Sequence, residues 1–597
     1  MSIKTIESGT VADAYLALLA DRGIDFLFAN AGTDFAPIIE AYAKAQVQGT
    51  KVPKPVTVPH ENVAIAMAQG YYLKTGRPQA VMVHVNVGTA NALCGIINGW
   101  RGNIPVLFTA GRTPYSEEGA LMGMRSGEIH WPQEMRDQRA MLREFVKWDY
   151  ELPNGETMET AVDRALNIAM AEPMGPVYLT LPRETLAAPI SNFRYSSPSR
   201  HATPSPAYPD TNAIDRAADM LAGAEFPLII TRAAGRVESD VAKLAALAER
   251  FVIPVFERKH HYMSMPWDSP MHLGHNPEAY FDIADVIVVL EADVPWVPKH
   301  KAPRPDCKII HIGADPIFEN YPLRGFPTDL AITGVVGAAI PALAEALATR
   351  EKAASSRIEA RRRKLAEARD KMHARIAANL EKVKNASPIH PGWINHCINR
   401  VKGADGIVVK EALTPSEHMY FSKPGTYYSL GQGGALGWGL GTALGMKAGA
   451  PDTMVICAIG DGSYMFANPI PAHYVGKAEK LPTLTVIYNN EMWNAVRRNT
   501  RDVYPDGYAA RSNQEPLTYF EPGTHFEKAV EAVDGYGEKV ERADALPAAL
   551  DRAVDQVARG RQAVLNVVCG TGYLPHPPWA ASEPPTQCAR VCGRNRW

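Results

Sequence analysis

The sequence predicts an α/β protein built from three doubly wound parallel-sheet domains. Three observations lead there. At 597 residues the chain is too long for one core, and roughly 150 residues per domain gives three or four domains. Short, near-continuous apolar runs alternate with helical patterns, as expected of parallel strands covered on both faces. That alternation occurs three times, interrupted by two segments of different composition.

The N-terminus carries Lys4 and Glu7 and lacks the apolar stretch of a signal peptide; residues 11–19 are amphipathic and read as a first helix capped near Ser8 or Thr10. Residues 26–28 read as a strand, followed by a helix from about Asp34 to Lys44. Residues 80–85, 106–109 and 177–181 are further strands. In the second block, 228–230, 252–255, 286–290 and 308–312 are short buried runs; in the third, 406–409, 453–459, 484–488 and 563–568 repeat the pattern. Residues 196–208 are rich in Ser and Pro and read as a linker. Residues 349–385 are charged at helical spacing and read as a solvated helix joining the second and third blocks. The resulting division is 1–194, 209–345, a charged helical linker at 346–385, 386–573, and a Pro-rich tail at 574–597.

Apolar residues make up 46% and charged residues 21%, ordinary for a globular protein, and the formal net charge of −2 excludes a strong bulk attraction to nucleic acid or to an anionic membrane. No apolar run reaches the roughly 18–20 residues of a membrane span. Of the seven cysteines, Cys94, Cys307, Cys397, Cys457 and Cys569 sit in apolar or mixed surroundings and are expected to be buried free thiols. Cys588 and Cys592 are close together, but no second Cys or His pair lies nearby, which argues against zinc. This usage fits a reducing, cytoplasmic setting.

The chemistry concentrates in the third block. An apolar strand runs straight into Gly460-Asp461-Gly462-Ser463, and a second strand ends in Asn489-Asn490, with Asn490 lying 29 residues after Asp461. Glycines let a backbone approach a ligand closely. An Asp and an Asn at the carboxyl ends of two parallel strands can share one hard cation, magnesium or calcium, whose shell phosphate oxygens and water complete. The Ser463 hydroxyl and neighbouring amides, at a helix N-terminus, can bind a diphosphate.

This constellation resembles the diphosphate-binding signature of thiamine diphosphate enzymes. The resemblance implies that Asp461, Asn490 and the main-chain carbonyl of Met492 hold magnesium, and that Gly460, Gly462, Ser463 and Thr414 contact the cofactor. A second motif agrees with it: Val58-Pro59-His60-Glu61 opens a helical stretch with small residues. In the pyruvate-decarboxylase-like branch such a Glu activates the aminopyrimidine, so Glu61 is implied as that acid. Ser429–Gly437 resembles the family segment that bends the cofactor, with Leu436 the wedge between its rings and the Gly434 carbonyl accepting from its amino group. The three domains are then the pyrimidine-binding, middle and diphosphate-binding domains.

Within the superfamily the first block is most similar to benzoylformate decarboxylase, through Asn30-Ala31-Gly32-Thr33, His60-Glu61, His84 with Gly88-Thr89-Ala90-Asn91, Val146-Lys147-Trp148 and Gly175–Leu179. The resemblance implies that Thr33 and His84 bind substrate and move protons; a histidine at a strand end suits acid–base work. For a second catalytic histidine the candidates are His300 and the pair His260-His261. Acetolactate synthase, a flavin-binding relative, is the rival. The middle block lacks that family's Arg-Phe-Asp-Asp-Arg run, reading Glu291-Ala292-Asp293-Val294-Pro295-Trp296, and its first strand continues as Thr231-Arg232, which argues against FAD. Residues 115–136, with Glu117, Glu118, Arg125 and His130, match neither family and are where substrate choice is expected to differ.

The implied activity is a thiamine diphosphate- and magnesium-dependent decarboxylase or carboligase of 2-keto acids, a lyase or a carbon–carbon bond-forming transferase. It works by ylid attack on the keto carbon and an enamine intermediate. The alternatives are an acetolactate synthase-like acyloin-forming transferase and a non-catalytic cofactor-binding paralogue. Expected partners are a small 2-keto acid or aldehyde and a second copy of the chain, as a homodimer or homotetramer with the site between subunits; neither nucleic acid nor membrane is expected.

Overall fold

The computed structural model describes residues 2–571 apart from Leu413, Pro415, Leu430 and Gln432. The tail at 574–597, with Cys588 and Cys592, lies outside the described residues. Three parallel sheets form the frame. The first runs Lys54–Thr57, Phe26–Asn30, Ala80–Val83, Leu107–Arg112, Val177–Pro182, Asp149–Glu151 in spatial order. The third runs Tyr427–Ser429, Ile407–Glu411, Val455–Gly460, Leu484–Asn489, Ala563–Val568, Tyr536–Val540. Numbered along the chain within each domain, both sheets have the strand order 2-1-3-4-6-5, and the five-stranded middle sheet has 2-1-3-4-5. The order reverses beside the first strand in all three, which places a crevice between the carboxyl ends of the first and third strands.

The predicted strands are present with shifted ends. The strand expected to reach residue 85 stops at Val83, because Val85 already begins the helix Val85–Arg101. The run at 252–255 is not one strand: Val252 caps the helix Glu238–Phe251 in a left-handed conformation (φ 54°), and the strand is Val255–Glu257. Strands Lys54–Thr57, Asp149–Glu151, Leu330–Thr333, Tyr427–Ser429 and Tyr536–Val540 are not evident in the sequence; they are short sheet edges, and in all but Tyr427–Ser429 partly exposed residues break the apolar run. Ser196 and Ser197 end a strand, Pro189–Ser197, that pairs antiparallel with Ser2–Thr10, so the irregular connection begins after them. The first helix, Val11–Asp21, is capped by Thr10, whose hydroxyl and backbone N–H exchange hydrogen bonds with Asp13.

The charged helix, Glu351–Val383, is not solvated all round. Ala354, Ile358, Arg361 and Leu365 recur at helical spacing and are buried. Arg361 donates to the carbonyls of Ala224, Phe251 and Val252, so its charge satisfies the C-terminal ends of two helices of the middle domain. Cys94 is exposed, contrary to expectation, because it shares the outer face of its helix with Asn91 while Ala92, Gly95, Ile96 and Gly99 face inward. Cys307, Cys397, Cys457 and Cys569 are buried free thiols. Among the described residues no helix is long and apolar enough to cross a membrane.

Two helices join the first and third domains. Glu61–Thr75 is buried from Glu61 through Tyr72, and Trp438–Gly449 from Trp438 through Lys447. Helices enclosed on every side cannot rely on one apolar stripe and need partners all round. They pack in parallel at close range. A Cβ at Gly70 would lie 2.1 Å from the Thr442 carbonyl oxygen, and one at Gly445 would lie 2.0 Å from that of Met67. Trp438 Nε1 donates to Gln69 Oε1 at 2.9 Å across the same seam. Gly445→Ala therefore forces the helices apart and is expected to cost about 1–3 kcal/mol, read as a lower urea midpoint. Gly223→Ala, at a helix end with nothing within 4 Å of the added carbon, is expected to leave the midpoint unchanged.

Candidate functional site

Two residue clusters sit at the carboxyl ends of the strands in the first and third sheets. In the third, the strand Val455–Gly460 delivers Asp461 to the start of a short helix, and Leu484–Asn489 delivers Asn490. Asp461 is buried. Its Oδ2 accepts from the backbone N–H groups of Asn490 at 3.0 Å and Glu491 at 2.7 Å, and its Oδ1 from Gly462 at 2.8 Å. Burial pushes its carboxyl up to about 6, and these N–H bonds only partly offset that. The Asn490 Oδ1 accepts from the Met492 N–H at 3.2 Å, which folds the predicted ligand loop back on itself. Gly462 has no room for a side chain, since a Cβ there would lie 2.2 Å from the Trp493 ring, itself packed on Phe466 and Phe520. A Cβ at Gly460, in contrast, would meet nothing closer than 3.9 Å, so the turn opens onto free space.

Glu411, which the sequence reading did not single out, organises this crevice. It ends the strand Ile407–Glu411, beside Val455–Gly460, and accepts from the N–H groups of Gly437 at 2.8 Å and Gly439 at 2.6 Å. Burial pushes it up to about 7, with the Gly439 and Gly437 N–H groups and the Ser463 hydroxyl opposing the shift. The Thr414 hydroxyl, on the same side, is buried without a hydrogen-bond partner. The half-buried Leu436 and exposed Gly434 lie in a segment clamped by Asn98 of the first domain, whose amide donates to the Ala435 carbonyl at 2.8 Å and accepts from its N–H at 3.2 Å. Gly437 adopts φ 90°, and a Cβ there would strike the Phe466 carbonyl. A buried anion held only by backbone dipoles, an orphaned hydroxyl and an open glycine turn fit a cation bridging to an anionic group.

In the first sheet, Glu61 opens its helix behind the cap residue His60 and is buried. Its carboxylate accepts from Asn30 Nδ2 at 2.9 Å and from Asn91 Nδ2. His60 also lies 3.4 Å from Asn468, so the first and third domains touch here within one chain. His84 Nδ1 lies 2.5 Å from Asp34 Oδ1, and its Nε2 lies 3.2 Å from the Gln133 amide nitrogen. The hydrogen bond to Asp34 is the main reason that its pKa is raised, against the effect of burial; Glu61 adds a smaller push. The Thr33 hydroxyl is 3.4 Å from His130 Nε2. His130 accepts the Ser126 N–H on Nδ1, Arg183 Nη1 lies 3.4 Å from its Nε2, and burial, Arg183 and Arg125 keep it neutral. Thus the 115–136 segment covers the cluster and turns His130 and Gln133 into it. Asp34 and Gln133 were not legible as partners, because nothing in their spacing marks the contact.

Within one chain the second-histidine candidates lie outside these two clusters. His300 is exposed, next to Lys299, which pairs with Asp502 of the third domain, and it is not among the described partners of His84. His260 and His261 are buried where the middle domain meets Tyr427–Ser429: His260 stacks on Tyr427, and His261 accepts from Arg232 at 2.6 Å. Burial drives both well below the ordinary histidine value.

Comparison with known proteins agrees with this layout. Models of the thiamine pyrophosphate enzyme family match in order: the N-terminal TPP binding domain at residues 9–141, the central domain at 214–343, and the C-terminal TPP binding domain at 412–567. The chain is 24% identical to the sulfoacetaldehyde acetyltransferase of Castellaniella defragrans, over 95% of this chain and 94% of that one. It is 24% identical to the benzoylformate decarboxylase of Pseudomonas aeruginosa, over 82% and 87%. The structure of the thiamine diphosphate-dependent 4-hydroxybenzoylformate decarboxylase of Rhodococcus jostii superposes with a TM-score of 0.74 at 21% identity, covering 94% of this chain and 99% of that one. With all three domain models matched in sequence, and each falling on one of the three sheets, the chain belongs to the thiamine pyrophosphate enzymes.

Proposed function

We propose that this enzyme cleaves or forms the bond next to the carbonyl of a small 2-keto acid, using thiamine diphosphate and magnesium. One observation carries the reading: Glu61 with His84, and Asp461 with Asn490, gather at the carboxyl ends of the strands in two sheets of the same strand order, joined by a parallel helix pair. The division at 1–194, 209–345, 346–385 and 386–573 is part of this proposal. So is a cytoplasmic location, in keeping with the four buried thiols.

Bound thiamine diphosphate would supply the electron sink that lets carbon dioxide leave. The chain's own residues do the rest. Asp461, the Asn490 side chain and the Met492 carbonyl would hold magnesium, while Gly460, Gly462, Ser463 and Thr414 would seat the diphosphate. Leu436 would impose the bend, with the Gly434 carbonyl accepting from the amino group. Glu61 would hold a ring nitrogen of the pyrimidine, its own carboxylate steadied by Asn30 and Asn91. Thr33 orients the substrate and His84 moves a proton at its Nε2. Products are carbon dioxide with an aldehyde or, with an acceptor aldehyde present, an acyloin. A panel of 2-keto acids, run with and without acceptor, is expected to give carbon dioxide release that requires both cofactor and magnesium; release unaffected by omitting them defeats the proposal.

The site is proposed to lie between two copies of the chain, with Glu61 of one facing Asp461, Asn490 and Leu436 of the other. Supporting this, Val87, Phe466 and Ile470 are 50–55% exposed on helices that flank the two clusters, an apolar surface that a second copy would cover. Glu61→Gln is expected to fold and to lose at least about 100-fold in turnover. Asp461→Ala is expected to weaken magnesium-dependent cofactor binding more than about tenfold, about 1.4 kcal/mol, by calorimetry. In a two-fold dimer, equal mixing of the two variants with subunit exchange makes half of the dimers mixed, each with one intact site of two. About a quarter of wild-type activity should therefore return; no rescue means that each site is built within one chain.

A further inference from the structure

We propose that Asp34 is the positioning residue for His84, fixing the tautomer and aim of the imidazole so that Nε2 faces the reaction site. The proposal rests on the function proposed above, and it adds a residue to that site. Asp34 follows Thr33 in the 3₁₀ turn Thr33–Phe35 and is 2% exposed. Its two oxygens do separate work: Oδ1 meets His84 Nδ1 at 2.5 Å, and Oδ2 accepts the Val85 N–H at 3.3 Å. An ionised carboxylate only accepts, so Nδ1 carries the proton and Nε2 is left with its lone pair in the neutral ring.

The surrounding chain is shaped for this pair. A Cβ at Gly32 would lie 2.1 Å from His84 Nδ1, and one at Gly111 would lie 1.7 Å from Asp34 Oδ2. Neither glycine has a positive φ, so the backbone does not require them; the side-chain pair does. Val85 has φ 31°, a conformation that a β-branched residue avoids, and the Asp34 bond to its N–H holds it there. Strain retained at the residue following a histidine, and clamped by that histidine's own partner, marks a geometry kept for the site rather than for the fold.

The other groups facing the ring can serve both of its protonation states. Gln133 presents its amide nitrogen to Nε2 at 3.2 Å, while its Oε1 is buried without a partner. A half-turn of that amide would offer the oxygen to Nε2–H when the ring is charged. Glu61, at its helix start, favours the charged ring; His130, from the covering segment, is neutral. Asp34 therefore sets where His84 titrates, and the hydrogen bond between them raises the histidine's pKa.

The test compares wild type with Asp34→Asn, which keeps shape and removes charge. Deuterium exchange at the imidazole C2–H, followed by mass spectrometry of the full-length protein across pH, reads His84 directly, since the tryptic peptide 75–101 holds no other histidine. Wild-type His84 should titrate above 6.5, and Asp34→Asn should lower it by about one to three units. With a 2-keto acid that wild type turns over, kcat should fall at least about tenfold with KM nearly constant, and the pH limb assigned to His84 should move to lower pH by the same amount. Gly111→Ala, which displaces the carboxylate without removing it, should shift the titration in the same direction and decides the matter if Asp34→Asn does not fold. An unmoved His84 titration overturns the proposal, as does a moved titration with an unmoved kcat limb. If wild type turns over no keto acid, the proposed function fails, while the exchange measurement still decides the pairing.

Discussion

The parallel packing of Glu61–Thr75 against Trp438–Gly449 is the constraint on which the rest of the molecule depends. Each helix opens with part of the site: Glu61 begins one, and the Gly434–Gly437 segment leads into the other. Because the helices run side by side in the same direction, those openings emerge at one end of the seam. The spacing is set by glycine against carbonyl, Gly70 on Thr442 and Gly445 on Met67. Small residues here therefore fix how the first and third domains of one chain sit on one another: a wider seam would strain the Asn98–Ala435 clamp.

Charge is arranged differently on the two sides of that seam. In the third domain Asp461 and Glu411 are buried with backbone N–H groups for company, and both titrate well above the ordinary carboxylate range. Such a pair is costly in its charged form until a cation or a proton arrives. In the first domain the buried carboxylate of Asp34 is matched by an imidazole and a backbone N–H, and that of Glu61 by two amides. One side is therefore short of positive charge and suits a metal; the other side is balanced and suits the movement of a proton.

The 115–136 segment shows how an irregular stretch can be ordered by side chains. Arg183, at the end of a first-sheet strand, donates to the Gly123 and Met124 carbonyls and to the Thr33 carbonyl. One guanidinium thus ties the cover to the turn that carries Thr33 and Asp34. Arg125 adds bonds to the Pro114 carbonyl and to Glu134. The cover brings His130 and Gln133 to the cluster without a helix or strand of any length, which is the economy of a loop fixed by charge-assisted hydrogen bonds.

By itself the sequence determined the class of fold and the threefold recurrence of its pattern, and it set Asp461 and Asn490 just past the ends of two strands. These follow from local rules: apolar runs make covered strands, and ligands gather where such strands end. It could not mark the edge strands Lys54–Thr57, whose exposed residues carry no apolar run, or Tyr427–Ser429, which is only three residues long, nor tell that Val252 caps a helix instead of starting a strand. Only the tertiary structure decided which residues meet across long separations. Asp34 reaches His84 from 50 positions away and Gln133 reaches it from 49, while Asn98 clamps Ala435 from 337. Spacing along a chain cannot encode such contacts, because the packing of whole sheets and helices, not any local preference, brings these side chains within hydrogen-bond range.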